Sequence, residues 1–426
     1  MKFCMVTTFF GAHSFGGDAA YVDRLARALC RRGHEVHVFH CADAFNAVRG
    51  RHPLRPYTPP PGLHVHRLES RFGLLSPLAT QATGRPYFKA EALRSELDAA
   101  DTDVVHFHNI SLVGGPGVLE MGRRAVRIMT AHEHWLICPM HLLWKYDRKA
   151  CDKPTCLRCS LAGRRPPQTW RYTDAIGRGL GQLDALIFPS QHTREVHRGR
   201  GINAARMIHL PYFLPDDWSE GIEDEEPEPT ERPYLAAAGR LVRMKGFQRL
   251  IPMMRYLPGV DLRIAGTGPY EPALRSLARD LPNVRFEGLL GGRGLARLFQ
   301  GARAVVVPSL FPETFGYVVL EAFAVRTPVV VHAGGGALNE TGVLSGGGLG
   351  YWTGAELLVA LRRIVHDDDL REGLAHRGHA MRTGDWSETA HLDRYFGLIR
   401  DIRAERAGDP PPHRPSARVS GSATLG

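Results

Sequence analysis

Residues 302–340 read ARAVVVPSLFPETFGYVVLEAFAVRTPVVVHAGGGALNE, and the pattern of this stretch decides the fold. A β-branched run at 304–307 stops at Pro308-Ser309 and has the composition of a buried strand. A loop follows, carrying Phe311, Pro312, Glu313, Thr314, Phe315 and Gly316. Residues 317–324 then read as a helix whose apolar positions are Val318, Leu320, Ala322 and Phe323. A second buried run at 327–331 leads to Gly334-Gly335-Gly336. Strand, loop, helix and strand in that order make a parallel βαβ unit. Its loop falls at the carboxyl edge of the sheet, where open α/β sheets bind ligands.

Two carboxylates sit at that edge, Glu313 in the loop and Glu321 on the helix, with seven residues between them. A carboxylate accepts hydrogen bonds at several lone-pair positions, which suits sugar or ribose hydroxyls. The spacing lets the pair hold separate parts of one extended ligand. It equally fits a helix-dipole partner at Glu313 and a solvated helix face at Glu321. The wider pattern, P-S-x-x-x-E-T-F-G-x-x-x-L-E-A followed by T-P-V-V and G-G-x-x-x-E, resembles the retaining nucleotide-sugar glycosyltransferases of family 4. The resemblance implies a GT-B fold, an α/β architecture of two Rossmann-like parallel-sheet domains facing a central cleft. It also implies that Glu313 holds the donor sugar and Glu321 the ribose, with Thr314, Phe315 and Gly316 at the donor site.

The composition fits that architecture. A chain of 426 residues, 43% hydrophobic, is long enough for two α/β domains with separate cores. No apolar run approaches the roughly 18 residues needed to span a bilayer. Residues 1–10 carry one Lys and a short apolar stretch, and read as a first strand rather than a signal peptide. The expected location is cytoplasmic, with attachment to the inner membrane surface left open. The net charge of +10 is uneven: residues 1–213 hold 29 Lys and Arg against 17 Asp and Glu, the remainder 25 against 27. The basic half suits anionic lipid headgroups, a polyanionic acceptor or nucleic acid, and fits an Arg-rich composition without any partner. Seven cysteines, an odd number, argue against a disulfide framework.

The first domain is expected over 1–213. A strand at 2–7 and a loop at 11–17 precede a helix at 18–32, with Val22, Leu25, Ala26 and Leu29 on one face and Gly33 past its end. Gly16 and Gly17 place backbone amides at that helix N-terminus, where the dipole favours an anion. By resemblance they meet the donor phosphates. Further strands are expected at 34–39, 103–108 and 126–130, with the last of the domain at 185–189, and helices at 88–99 and 169–183. Asp101-Thr102-Asp103 is a D-x-D triplet, but it precedes a strand and so falls at the wrong edge for a catalytic metal. The strand at 126–130 runs into Ala131-His132-Glu133-His134. An imidazole there can donate to a sugar hydroxyl, or be a core histidine satisfied by backbone groups. The family's T-x-H at this point implies a sugar contact by His132, with His134 second.

Four cysteines follow, spaced Cys138-x12-Cys151-x4-Cys156-x2-Cys159, in an irregular basic insertion at 138–165 that needs a staple. Such thiols can supply a tetrahedral structural zinc site. An iron–sulfur cluster, a redox pair and free reduced thiols are the alternatives.

The second domain is expected over 214–385, after a hinge at 213–215 and an acidic solvated loop at 216–231. A strand at 234–238 opens into GRLVRMKG at 239–246, which matches the family's G-R-L-x-x-x-K-G. The match implies that Arg240 and Lys245 bind the diphosphate; on bare composition they would be ordinary surface cations. Arg grips phosphate with a planar fork and Lys supplies a point charge. Gly268, in Gly266-Thr267-Gly268, falls in family register at the next strand end. Helices are expected at 355–365 and 370–381, and a helix at 386–406 is expected to cross back to the first domain. Residues 407–426, rich in Pro, Ser, Gly and Arg, read as a disordered tail.

The implied activity is transfer of a sugar from a nucleotide-diphosphate donor to a glycan, lipid-linked or small-molecule acceptor, with retention of anomeric configuration. No catalytic metal or other cofactor is required by this reading. Two other readings stand beside it: a GT-B nucleotide-sugar epimerase, and a protein binding nucleic acid or another polyanion through its basic half and cysteine cluster. Nucleic-acid binding predicts aromatics interleaved with basic residues, a pattern this chain does not show, so no nucleic-acid partner is expected.

Overall fold

The computed structural model describes residues 1–14, 16–48, 54, 56–222 and 225–408. The tail expected to be disordered therefore lies outside the described residues, apart from its first two positions. Two parallel sheets carry the molecule, as the βαβ reading implies. The first contains β1 (Lys2–Thr7), β2 (Glu35–Cys41), β3 (Leu63–Leu68), β4 (Val104–Phe107) and β5 (Val126–Thr130). After a small antiparallel hairpin, β6 (Trp144–Lys145) and β7 (Lys149–Ala150), the sheet is completed by β8 (Ala185–Phe188) and β9 (Met207–His209). Its order is 3-2-1-4-5-8-9. The second contains β10 (Tyr234–Ala238), β11 (Asp261–Ala265), β12 (Val284–Gly288), β13 (Ala304–Val307), β14 (Val329–His332) and β15 (Gly348–Tyr351), ordered 12-11-10-13-14-15.

Both orders reverse beside the first strand of their domain, β1 against β4 and β10 against β13. Loops leaving such a switch point diverge and open a crevice. The loop after β1 ends at Gly16 and Gly17, the loop after β10 carries Arg240 and Lys245, and the loop after β13 carries Glu313. Topology thus gathers the motifs before any side chain is considered. The strands that do this are buried on both faces, which is why Val305, Val306, Val307, Val329, Val330 and Val331 form continuous rather than alternating apolar runs.

Several expectations are corrected at the margins. The last strand of the first sheet is β9, not 185–189, and β3 and β15 fall in stretches where no strand is expected above. β3 alternates histidines on a sheet edge and β15 reads GLGY, so neither is an apolar run. The helix expected at 169–183 is broken into Thr169–Tyr172 and Ala175–Leu180. Thr173 and Asp174 interrupt it, and Gly177, Gly179 and Gly181 weaken its second half. The Asp-x-Asp triplet sits at the amino edge of β4, where Asp103 accepts from the Lys2 amide and pairs with Arg403.

Glu388–Ala407 is a twenty-residue helix capped by Ser387, and it packs back on the first domain. Tyr395 hydrogen-bonds His106 Nδ1 at 2.9 Å, while Arg403 and Arg406 pair with Asp103 and Asp184. Among the described residues, no helix is long and apolar enough to cross a membrane.

Candidate active site

The second domain builds one wall around an ion pair. Lys245 Nζ lies 2.6 Å from Glu313 Oε1, and the same oxygen accepts from Ser309 Oγ at 2.7 Å. Gly246 permits this approach. Its backbone has φ 78°, and a Cβ there would fall 1.8 Å from the Pro308 carbonyl oxygen at the end of β13. The Glu313 backbone is pinned in turn, its amide on Gly335 O and its carbonyl on the Ala337 amide. Arg240 is exposed at the end of β10, with no ion-pair partner among the described residues. Gly268 serves by close approach, since a Cβ at that position would meet Leu241 O at 2.3 Å. It braces the loop that carries Arg240.

The first domain closes against this wall. Gly16 is the N-cap of the Gly17–Arg31 helix, and Gly17 faces the Tyr317 ring. Tyr317 stacks on Tyr212 with centroids 4.9 Å apart, and Arg24 lies over its other side at 4.6 Å. Arg24 Nη2 also sits 3.6 Å from Glu321 Oε1. Burial outweighs that neighbouring cation and pushes the Glu321 carboxyl up. Thr314 is a fastening between domains: its hydroxyl donates to His132 O, and its carbonyl accepts from Ser190 and Thr193. Phe315 is buried between Tyr212 and Trp386, and Gly316 caps the Tyr317–Ala324 helix.

His132 is placed at the end of β5 as the motif implies, but both ring nitrogens are engaged. Nε2 pairs with His108 Nδ1 at 2.9 Å and Nδ1 with the Tyr212 hydroxyl at 2.6 Å. Burial drives the ring's pKa down to about 3, so it stays neutral, with one donor and one acceptor, each already used. His134 turns its Nε2 to Pro312 O across the domain boundary at 3.1 Å, while its Nδ1 is buried without a partner among the described residues.

Three further carboxylates lie at the cleft, of which Glu340 closes the G-G-x-x-x-E stretch. Glu340 accepts from the Gln191 and His192 amides at 2.9 and 2.8 Å, laying a carboxylate on a helix N-terminus of the first domain. Glu133 is paired with His141 Nδ1. Asp18, one residue beyond the glycine pair, accepts from Asn109 Nδ2 at 3.0 Å. Burial, and then the charge of Glu133, push the Asp18 carboxyl up to about 6. A carboxyl raised on folding stabilises the fold below its unfolded value near 4, and that contribution is lost as pH rises through 6. Asp18→Asn is therefore expected to raise stability at pH 8 by up to about 2–3 kcal/mol, with the gain fading towards pH 4. Urea unfolding of both proteins across that range checks it; a gain independent of pH would rule the assignment out.

Two sequence profiles divide the chain between them. Residues 15–215 match "Glycosyltransferase Family 4" and residues 219–379 match "Glycosyl transferases group 1". The lipopolysaccharide core biosynthesis glycosyltransferase LpsE of Rhizobium meliloti is 35% identical over 179 residues, 40% of this chain and 51% of that one. The chain thus spans about half the length of that relative. The D-inositol 3-phosphate glycosyltransferase of Mycolicibacterium paratuberculosis is 35% identical over 429 residues, covering 93% of this chain and 89% of the relative. In structure, sucrose-phosphate synthase from Thermosynechococcus elongatus superposes with a TM-score of 0.71 at 20% identity, over 95% of this chain and 99% of the other. The chain belongs to the family 4 glycosyltransferases and has their GT-B fold.

Proposed function

We propose that the chain moves a hexosyl group from a nucleoside diphosphate sugar to a hydroxyl of a lipid-linked glycan, with retention, at an anionic membrane surface. The observation that carries this reading is the Lys245–Glu313 pair, set at the switch point of the second sheet with Glu321 on the helix that follows. Lys245 and Arg240 stabilise the charge that develops on the diphosphate as its bond to the anomeric carbon breaks. Glu313 accepts from sugar hydroxyls and Glu321 from the ribose, while the Gly17 amide faces the phosphates. The acceptor oxygen bonds to the anomeric carbon on the face the diphosphate leaves, and its proton passes to the departing phosphate oxygen. His132 reaches the sugar by exchanging the Tyr212 hydroxyl for a sugar hydroxyl.

An exposed apolar surface on the first domain supports the membrane part. Phe72, Leu74, Leu75, Leu78, Tyr87 and Phe88 are exposed, with Phe72 and Phe88 in ring contact at 4.4 Å. Arg71 covers Phe72 and Arg85 lies exposed nearby in sequence, while Arg67, also exposed, is paired with Glu69 at 2.6 Å. Apolar side chains rimmed by cations suit the headgroup boundary of an anionic bilayer. The test incubates the full chain with α-linked UDP- and GDP-sugars and phosphatidylglycerol vesicles bearing a lipid-linked glycan. Co-sedimentation with these vesicles but not with phosphatidylcholine ones, and an α-linked product by NMR, are expected. A β-linked product would overturn retention, and equal partition to both vesicle types would overturn the surface.

A further inference from the structure

We propose that Glu35, His37 and His64 bind one zinc ion at the amino edge of the first sheet, with His66 orienting the ring of His37. Strand pairing alone brings these residues together. β2 and β3 run parallel in a register that sets His37 beside His64 and Phe39 beside His66. Side chains at paired positions, and at every second position along a strand, share one face of a sheet. Glu35 and His37 therefore stand on the same face as His64 and His66. Glu35 is the first residue of β2, so the cluster lies at the end of the sheet opposite the loops that form the cleft.

The ligand atoms already converge. Glu35 Oε1 lies 2.8 Å from His37 Nε2 and 3.8 Å from His64 Nε2, and the three atoms fall within 4.8 Å of one another. Tetrahedral zinc with bonds of about 2.0–2.2 Å holds its ligand atoms about 3.3–3.5 Å apart. The two separations from Glu35 Oε1 bracket that value, and small side-chain rotations reach it with the strands left in place. An ion pair between Glu35 and His37 would not need His64 at the same oxygen, and at 3.8 Å His64 is too far away to hydrogen-bond to it. Lys2, the in-register neighbour of Glu35 on β1, turns instead to Asp101 at 2.9 Å and leaves the carboxylate to the imidazoles.

A second shell stands behind the first. His37 Nδ1 lies 2.9 Å from His66 Nε2, and the His66 ring stacks on Phe39 with centroids 4.4 Å apart. With zinc on Nε2, His37 keeps its proton on Nδ1 and donates it to His66, the contact that fixes the tautomer and direction of a ligating imidazole. The side chains of Glu35 and His64 are 52% and 54% exposed, so an ion enters from solvent and water fills the fourth position. Two imidazoles and a carboxylate suit zinc, whereas magnesium and calcium take oxygen ligands. β3 is an edge strand with β2 as its one neighbour in the sheet, and the ion ties the two together. Among the described residues no three of the sulfurs of Cys138, Cys151, Cys156 and Cys159 come within the same 4.8 Å, so the thiol site expected from sequence is not gathered.

The test is calorimetric titration of the metal-free full chain with zinc chloride, with melting temperatures recorded alongside. One zinc per chain at micromolar concentration or below is expected, together with a rise in melting temperature. His64→Ala, a half-exposed position on an edge strand, should abolish both effects, and His66→Ala should weaken binding by about tenfold. Magnesium and calcium should produce neither. A second readout needs no variant: cobalt(II) in the wild-type chain should give the visible spectrum of nitrogen and oxygen ligation without intense sulfur-to-metal charge transfer. Zinc that His64→Ala retains, cobalt with the sulfur band, or binding seen only at millimolar zinc overturns the proposal.

Discussion

Lys245→Ala is expected to lower kcat by about 10²–10³-fold, with KM for the donor nearly unchanged. In the resting protein the Lys245 charge is shared with Glu313 at 2.6 Å and lies over the Phe311 ring at 5.1 Å. Its attraction to a diphosphate grows as the glycosidic bond breaks and negative charge accumulates on the leaving oxygen, so its loss falls on the transition state. Arg240, exposed and without an ion-pair partner among the described residues, grips the diphosphate before and during the reaction alike. Arg240→Ala should therefore raise KM more than it lowers kcat, and the contrast separates the two cations. Lys245→Arg should not restore activity, because a planar fork does not fit where Ser309, Phe311 and Glu313 surround a compact ammonium. Steady-state kinetics with melting temperatures recorded alongside decide the matter. A Lys245→Ala enzyme within threefold of wild type would remove Lys245 from the chemistry.

What could be read in advance follows a physical division. The run at 304–307, the loop with Glu313 and the helix with Glu321 were legible because each depends on local composition: branched apolar residues, turn formers, then helical spacing. Parallel sheets extend this, since a strand's carboxyl edge places whatever follows it. The partners of those residues were not legible. Arg24 meets Glu321 and Glu340 caps Gln191–Gly199 only because two domains close, and no local signal marks such a pairing. His132 shows the division within one side chain. Its position follows from the end of β5, but the His108 and Tyr212 contacts that occupy its nitrogens come from a neighbouring strand and from the hinge. The broken helix at 169–183 was a failure of a different kind, an apolar pattern interrupted at Thr173 and Asp174 and weakened beyond them by glycine.

Glu321→Ala is expected to weaken nucleoside diphosphate binding by about 10–100-fold, while Arg24→Ala leaves it unchanged or tightens it. The Glu321 side chain is only 14% exposed, yet its contact with Arg24 at 3.6 Å is long for a charge-assisted hydrogen bond. Burial prevails over that contact and pushes its carboxyl up, so the group is poorly satisfied as it stands. Arg24 Nη1 and the Tyr317 hydroxyl are buried without hydrogen-bond partners among the described residues. A carboxylate in that condition has acceptor capacity left for two ribose hydroxyls, and Arg24 is the group it must loosen to take them. Deleting Glu321 removes the acceptor itself. Deleting Arg24 removes only a competitor, although it leaves Glu321 without its nearby cation and should lower stability. Calorimetric titration with UDP and GDP, on both single variants and the double, separates these effects. If Arg24→Ala loses affinity as steeply as Glu321→Ala, Arg24 holds the nucleotide directly and the two residues cooperate. If it does not, the contact between the domains is one that the donor must displace, and domain closure and donor binding then draw on the same carboxylate.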